Sequence, residues 1–167
     1  MAGGPVKVAI IAMQTAVTST NEFRRNYADL QKKYEPKRAE FKTLSDELVA
    51  LNKQLQASGG TMSEAERASK TKVLEAKKKQ AKRLAEDSQT GFQQEMHELY
   101  NLTASKLYEV LASYAHQQGL TAVLDVSEEH SPVLYASESS NITKQVTEAY
   151  NAKSGVPAPP AQPAVTH

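Results

Sequence analysis

Nine large apolar residues, Phe23, Tyr27, Leu30, Tyr34, Phe41, Leu44, Leu48, Leu51 and Leu55, recur at alternating spacings of four and three, broken only by Lys37. That period draws one stripe along an α-helix and predicts a heptad seam over about Asn21 to Gln56. Ser58-Gly59-Gly60 then stops the helix, and Thr61-Met62-Ser63-Glu64 and Ser63-Glu64-Ala65-Glu66 both read as capping boxes that start another, from Ser63 to Gln118. A chain so punctuated turns back on itself. The expectation is a long antiparallel coiled-coil hairpin over about 21–118, with everything else gathered at its far end.

The second helix has a thinner stripe. Leu74, Ala81 and Leu84 begin it, Phe92, Met96, Leu99 and Thr103 resume it, and Leu107, Val110, Leu111 and Tyr114 thicken it towards the C-terminal end. Apolar mass therefore lies away from the turn. At 1.5 Å per residue the first helix is about 55 Å long, too long for its tip to be buried in a domain of 167 residues. The hairpin is expected to project into solvent. Pro36 removes one helical N–H and clashes with the preceding turn, so a bend is expected near Lys32 to Tyr34, with the heptad phase carried through.

Only 40% of the chain is hydrophobic and 6% aromatic, with a mean hydropathy of −0.55, so the globular core must be small. Twenty basic and 19 acidic residues give a formal charge of +1, which argues against a general attraction to nucleic acid. The absence of Cys removes disulfides, thiolate metal sites and Cys nucleophiles. No apolar run approaches the roughly 20 residues that span a bilayer, and no basic region followed by an apolar stretch marks a signal peptide. Met1-Ala2-Gly3-Gly4 reads as a start joined to a spacer, residues 1–5, which fits a mature form whose export signal has been removed.

Val6 to Ile11 is β-branched and follows Gly3-Gly4-Pro5, which predicts a strand. Met13 to Val17 makes about one helical turn, and Ser19 with Glu22 is expected to cap the first long helix. Beyond Gly119, a plausible C′ residue, Thr121 to Val126 and Val133 to Ala136 read as two more strands joined as a hairpin. A last amphipathic helix is expected from Asn141 to about Lys153, and the Pro-rich segment 154–167 is expected to be disordered. The fold class is thus α+β and predominantly helical: a helical hairpin arm on a small β body made from both chain ends, residues 6–20 and 119–153, with a C-terminal helix. Three short strands leave two open edges and are marginal alone. Self-association through Val8, Ile10, Val123, Leu124, Val133 and Tyr135 is therefore expected.

Val6-Lys7-Val8-Ala9-Ile10-Ile11-Ala12-Met13-Gln14, a long charged hairpin, Gly119-Leu120-Thr121-Ala122-Val123-Leu124-Asp125, Leu134-Tyr135-Ala136 and Asn141-Ile142-Thr143 follow one another in an order that resembles the Skp/OmpH family of periplasmic chaperones. The likeness spans about residues 6–152 and rests on the joint spacing of short motifs. It implies a jellyfish-shaped homotrimer with a shared β body, whose arms enclose unfolded outer-membrane proteins in the periplasm without ATP and prevent their aggregation. The near-neutral charge and the Pro-rich tail depart from the family's pattern.

Between Arg67 and Arg83 eight basic residues face one acid, Glu75. Lys72, Lys79, Lys82 and Arg83 share a helical sector apart from Leu74, Ala81 and Leu84. A thin helix needs charge simply to stay in water; the functional reading is attraction to anionic clients or to an anionic membrane surface. Phe92 and Met96 are the apolar residues expected to combine packing with client contact. Catalysis and cofactors find no support. His97-Glu98-Leu99-Tyr100-Asn101 starts like a zincin helix, but Asn101 stands where the second His ligand belongs. His116 and His130 lack partners at ligand spacing. The competing class is a structural or adaptor coiled coil that binds one folded partner, and promiscuity of binding separates the two.

Overall fold

In a computed structural model, which describes residues 4–57 and 60–161, the chain forms strand β1 (Val8–Ile11), helices α1 (Met13–Ser19), α2 (Asn21–Ala57) and α3 (Glu64–Gln117), strand β2 (Ala122–Asp125), a 3-10 turn (Glu138–Ser140) and helix α4 (Thr143–Ser154). The fold is α+β and predominantly helical, as the periodicity predicts. Residues 1–3 of the spacer, Ser58 and Gly59 of the helix-stopping turn, and residues 162–167 of the tail lie outside the described residues. Two compact units emerge, one built from Met1–Asp29 with Met96–His167 and one from Leu30–Glu95.

In the first unit the sheet differs from expectation. β2 does not turn back into a hairpin with residues 133–136; it lies parallel to β1, in the register Val8↔Ala122 through Ile11↔Asp125. Parallel neighbours need a long crossover, and α1, α2 and α3 supply it. Residues 133–136 form no strand. Pro132 has no N–H to give a ladder, and the free side of β1 is instead taken by Asn141 in a single parallel bridge. Ile142 N–H donates to the Ile10 carbonyl at 3.0 Å, and Ile142 is buried where Leu134 and Tyr135 are not.

Strand period puts Ala9 and Ile11 on the buried face, where they meet Ala16, Val17, Phe23, Leu107, Val110, Ile142, Val146 and Tyr150. Every helix contributes to this core. The junction of α1 and α2 is capped one residue later than expected. Ser19 ends α1, while buried Thr20 accepts from Phe23 N–H at 3.2 Å and donates to the Val17 carbonyl at 2.8 Å. Asp125 closes the other end of α1, accepting from Met13 N–H at 3.1 Å and from Ser127 N–H at 2.9 Å. Burial raises the Asp125 pKa, but these backbone donors outweigh it and hold the carboxyl below its ordinary value. α3 ends as Gly119 allows: with φ +64°, its N–H reaches the His116 carbonyl and Leu120 N–H reaches that of Ala115, a Schellman closure. Asn141 Oδ1 accepts from Thr143 N–H to start α4, so that helix begins two residues later than expected. Gly155 ends it, and Asn21 Nδ2 holds the Val156 carbonyl at 3.0 Å, which fixes the start of the tail expected to be disordered.

In the second unit the seam is real and lopsided. α2 supplies the large buried residues Leu30, Tyr34 and Leu44, while α3 answers with Leu74 and Ala81. Pro36 lies inside α2 without ending it. Ser63 caps α3 by accepting from Glu66 N–H at 3.2 Å, which selects the second of the two capping boxes. Gly91 matters for close approach: a Cβ there would sit 2.7 Å from Tyr34 Oη. That hydroxyl is committed to Glu95 Oε1 at 2.8 Å, and its ring meets Phe92 edge-on at 5.4 Å. Gly91→Ala should therefore lower the thermal midpoint by about 2–4 °C despite the better helix propensity of Ala. In a Tyr34→Phe background, where the hydroxyl is gone, the same change should be neutral or raise it. Melting the four proteins tests this, and a drop of equal size in both backgrounds would refute the contact as cause.

Candidate functional site

The basic sector lies on α3 within the Leu30–Glu95 unit, and Lys72, Lys79, Lys82 and Arg83 are all exposed. They are not equivalent. Lys82 lies 3.8 Å from Glu86, Lys78 pairs with Glu75 at 3.2 Å, and Lys77 crosses to Glu47 of α2. Among the described residues Lys72, Lys79 and Arg83 form no ion pair. At 100° per residue these three fall within about 40° of one another, in a stripe about 17 Å long. Glu86 and Asp87 succeed it along the helix. Lys72 also lines a shallow groove of about 660 Å³ with Glu64, Arg67, Ala68, Thr71 and Glu75, so the first turns of α3 carry mixed charge.

Phe92 and Met96 are both half-buried and engaged in packing, Phe92 on Tyr34 and Met96 against the core of the first unit. The exposed apolar residues of the hairpin unit are others: Phe41, Val49 and Val73, each between 40% and 54% exposed. Phe41 belongs to the seam by spacing, yet Lys37 one turn earlier leaves that stretch thinly covered. Val49 and Val73 sit off the four–three stripe, which is the signal that could have singled them out.

Of the residues expected at a self-association surface, Val8, Ile10 and Leu124 share the outward face of the sheet, since Ile10 is paired with Leu124 two residues along from Val8. Val8 and Leu124 are exposed and Ile10 half-buried, whereas Val123 turns to the inner face and packs on the core. Val133 is half-buried and Tyr135 exposed. Leu134 escaped the sequence reading, because strand alternation would have turned it inward.

One polar cluster also escaped it. Glu22, at the start of α2, accepts from Lys106 Nζ at 2.7 Å and from Tyr150 Oη at 2.5 Å, joining α2, α3 and α4. Those bonds, Lys106 first, pull the Glu22 carboxyl below its ordinary range against the effect of burial, and burial with Glu22 pushes the Tyr150 hydroxyl up. Along α3, Asn101 Nδ2 stands 3.0 Å from His97 Nε2. No group of three or more His, Asp or Glu able to hold a metal comes together among the described residues, and none of their helices is long and apolar enough to cross a membrane.

Comparison with known proteins bears on the whole arrangement. A crystal structure of an OmpH-like protein from Caulobacter crescentus CB15 superposes with a TM-score of 0.68 at 18% sequence identity, covering 91% of this chain and 88% of that one. At that identity the likeness speaks for the fold. No curated protein matches. The family model described as outer membrane protein (OmpH-like) matches residues 7–150, which takes in both strands, α1 to α3 and the first two thirds of α4. The chain belongs to the OmpH-like family.

Proposed function

We propose that the protein is an ATP-independent holdase of the periplasm, which as a homotrimer binds unfolded outer-membrane proteins between its helical arms and prevents their aggregation. Residues 6–20 and 119–153 are the oligomerisation body and 21–118 the arm. Membership of the OmpH-like family supports this, as does the outer membrane chaperone role ascribed to the Caulobacter relative. The observation that carries it is the hairpin unit itself, which buries one thin seam and leaves Phe41, Val49, Val73 and a stripe of unpaired cations in water. An unfolded outer-membrane strand alternates apolar and polar residues. Dispersed apolar residues and exposed cations suit such a client better than one shaped pocket.

The two contributions act at different stages. Exposed charges are screened over about 8 Å at physiological salt, so the Lys72, Lys79, Lys82 and Arg83 sector governs mainly the rate of capture. Apolar burial, worth about 25 cal/mol per Å², governs how long the client stays. The same cations are available to an anionic membrane surface. Reversing all four to Glu should slow capture of an anionic unfolded barrel protein several-fold at low salt and flatten its salt dependence, with far-UV CD and assembly mass unchanged. Light scattering of the diluted client, without nucleotide and at several salt concentrations, measures this. Equal protection at every salt concentration would leave the charges a role in solubility alone, and no protection by either protein would remove the holdase reading.

A further inference from the structure

The segment after α4 leaves its unit in a fixed way. Gly155, with φ +67°, closes α4 by donating its N–H to the Asn151 carbonyl at 3.1 Å; Val156 N–H then donates to Ser154 Oγ at 3.4 Å, and the Val156 carbonyl accepts from Asn21 Nδ2 at 3.0 Å. Its root is tied to α2 as well as to α4. From there the chain reads Val156-Pro157-Ala158-Pro159-Pro160-Ala161. The prolines have φ held at about −65°, and Val156, Ala158 and Pro159 each precede a proline, which turns them away from the helical region towards the extended one. Burial follows a period of three: Val156 and Pro159 are half-buried, while Pro157, Ala158, Pro160 and Ala161 are exposed. That is the period of a polyproline II helix.

We propose that residues 156–161 form a polyproline II ligand, seated on its own chain along the Val156 and Pro159 edge, whose Pro157 and Pro160 edge is read by an uncharged, aromatic-lined groove of a folded partner protein. The two outward prolines stand one turn apart, about 9 Å, and Ala158 and Ala161 on the third edge are too small to shield them. Other modes of peptide recognition do not fit. Pro157, Pro159 and Pro160 have no N–H to add to a sheet edge, and the same three residues exclude a helix laid in a groove. Ser154 to Ala161 carries no charge, so neither an acidic nor a basic surface is selected. Preset dihedrals and a tied root leave little conformational freedom to lose on binding. The sequence repeats the spacing at Pro163, outside the described residues. This ligand shares no residue with the arm cations or the exposed apolar residues of the hairpin, so the inference goes beyond the holdase reading.

A benzophenone amino acid placed at Ala161 of the full-length chain, irradiated in an extract of the source cells, should capture a folded protein through a peptide bordered by Trp or Tyr, and decaproline added beforehand should abolish the capture. Pro157→Ala with Pro160→Ala should lower the yield about tenfold, whereas Pro159→Ala, on the edge that faces its own chain, should change it less than about twofold. Far-UV CD and protection of a diluted barrel protein should be the same in every variant. No capture, capture that survives decaproline, an equal loss from Pro159→Ala, or capture of unfolded outer-membrane proteins alone would each overturn the proposal. Capture with this pattern by a chain that protects no client would remove the holdase reading and leave this one standing.

Discussion

Leu107→Ala is expected to lower the unfolding free energy by about 3 kcal/mol and the thermal midpoint by roughly 6–12 °C. Leu107 is 0% exposed and belongs to the cluster of Ala16, Val17, Phe23, Val146 and Tyr150. Those neighbours come from α1, α2 and α4, held in turn by Thr20, by Asp125 at the start of α1 and by the Glu22 bonds. Walls fixed on so many sides collapse poorly into a cavity, which places the cost well above the bare transfer term. Far-UV CD melts measure it. Leu134→Ala is the matched control, since a side chain 100% exposed within its own chain should leave the midpoint of a dilute, dissociated sample unchanged. A loss below about 1 kcal/mol for Leu107→Ala would show that this core is loosely packed.

The hairpin was legible because its information is local. A four–three stripe, a double glycine and a Ser-x-x-Glu cap each act within a turn or two, and α2 and α3 end within one residue of where those signals put them. The Gly119 closure was legible for the same reason. Strand partnership was not. Val6 to Ile11, Thr121 to Val126 and Val133 to Ala136 all have strand composition, and composition does not say which of them meet. Val8 and Ala122 are paired across 113 intervening residues, and only the packing of Ala9 and Ile11 on α3 and α4 decides the choice. Proximity in sequence favoured the wrong pair.

The candidate site divides along the same line. The cationic sector could be read from spacing, and its thinning to Lys72, Lys79 and Arg83 comes from Glu86 one turn beyond Lys82, whereas the pairing of the neighbouring Lys77 depends on Glu47, 30 residues away. Exposed Val49 and Val73 are visible only as departures from the stripe. The outward sheet face follows from strand period once the register is known, which is why Val8 and Leu124 fall on it and Val123 does not.

Removing the Glu22 carboxylate should have the next largest effect, and its pH dependence identifies the cause. Glu22→Ala deletes two charge-assisted bonds and leaves the Tyr150 hydroxyl, on a residue 3% exposed, without its acceptor. A loss of about 2 kcal/mol at pH 7 is expected. Lys106 Nζ first and Tyr150 Oη second hold the Glu22 pKa below its ordinary value, so the folded protein binds this proton less readily than the unfolded chain. The contribution is therefore fully present above the unfolded carboxyl pKa of about 4.3 and is lost as pH falls through the lower folded value. Wild type and Glu22→Ala should differ by a constant amount from about pH 5 to 8 and converge below about pH 4. Tyr150 works in the opposite direction: burial and Glu22 raise its pKa, so its share is present below the ordinary tyrosine value of about 10 and declines above it. Tyr150→Phe should thus remove about 1 kcal/mol at pH 7, and in the Glu22→Ala background considerably less, because the acceptor has already gone. Urea titrations of the four proteins at pH 3.5, 7 and 10.5 supply every term of that cycle. Strictly additive losses at pH 7 would mean that Glu22 and Tyr150 stabilise the body independently, and that the link from α2 to α4 contributes nothing of its own.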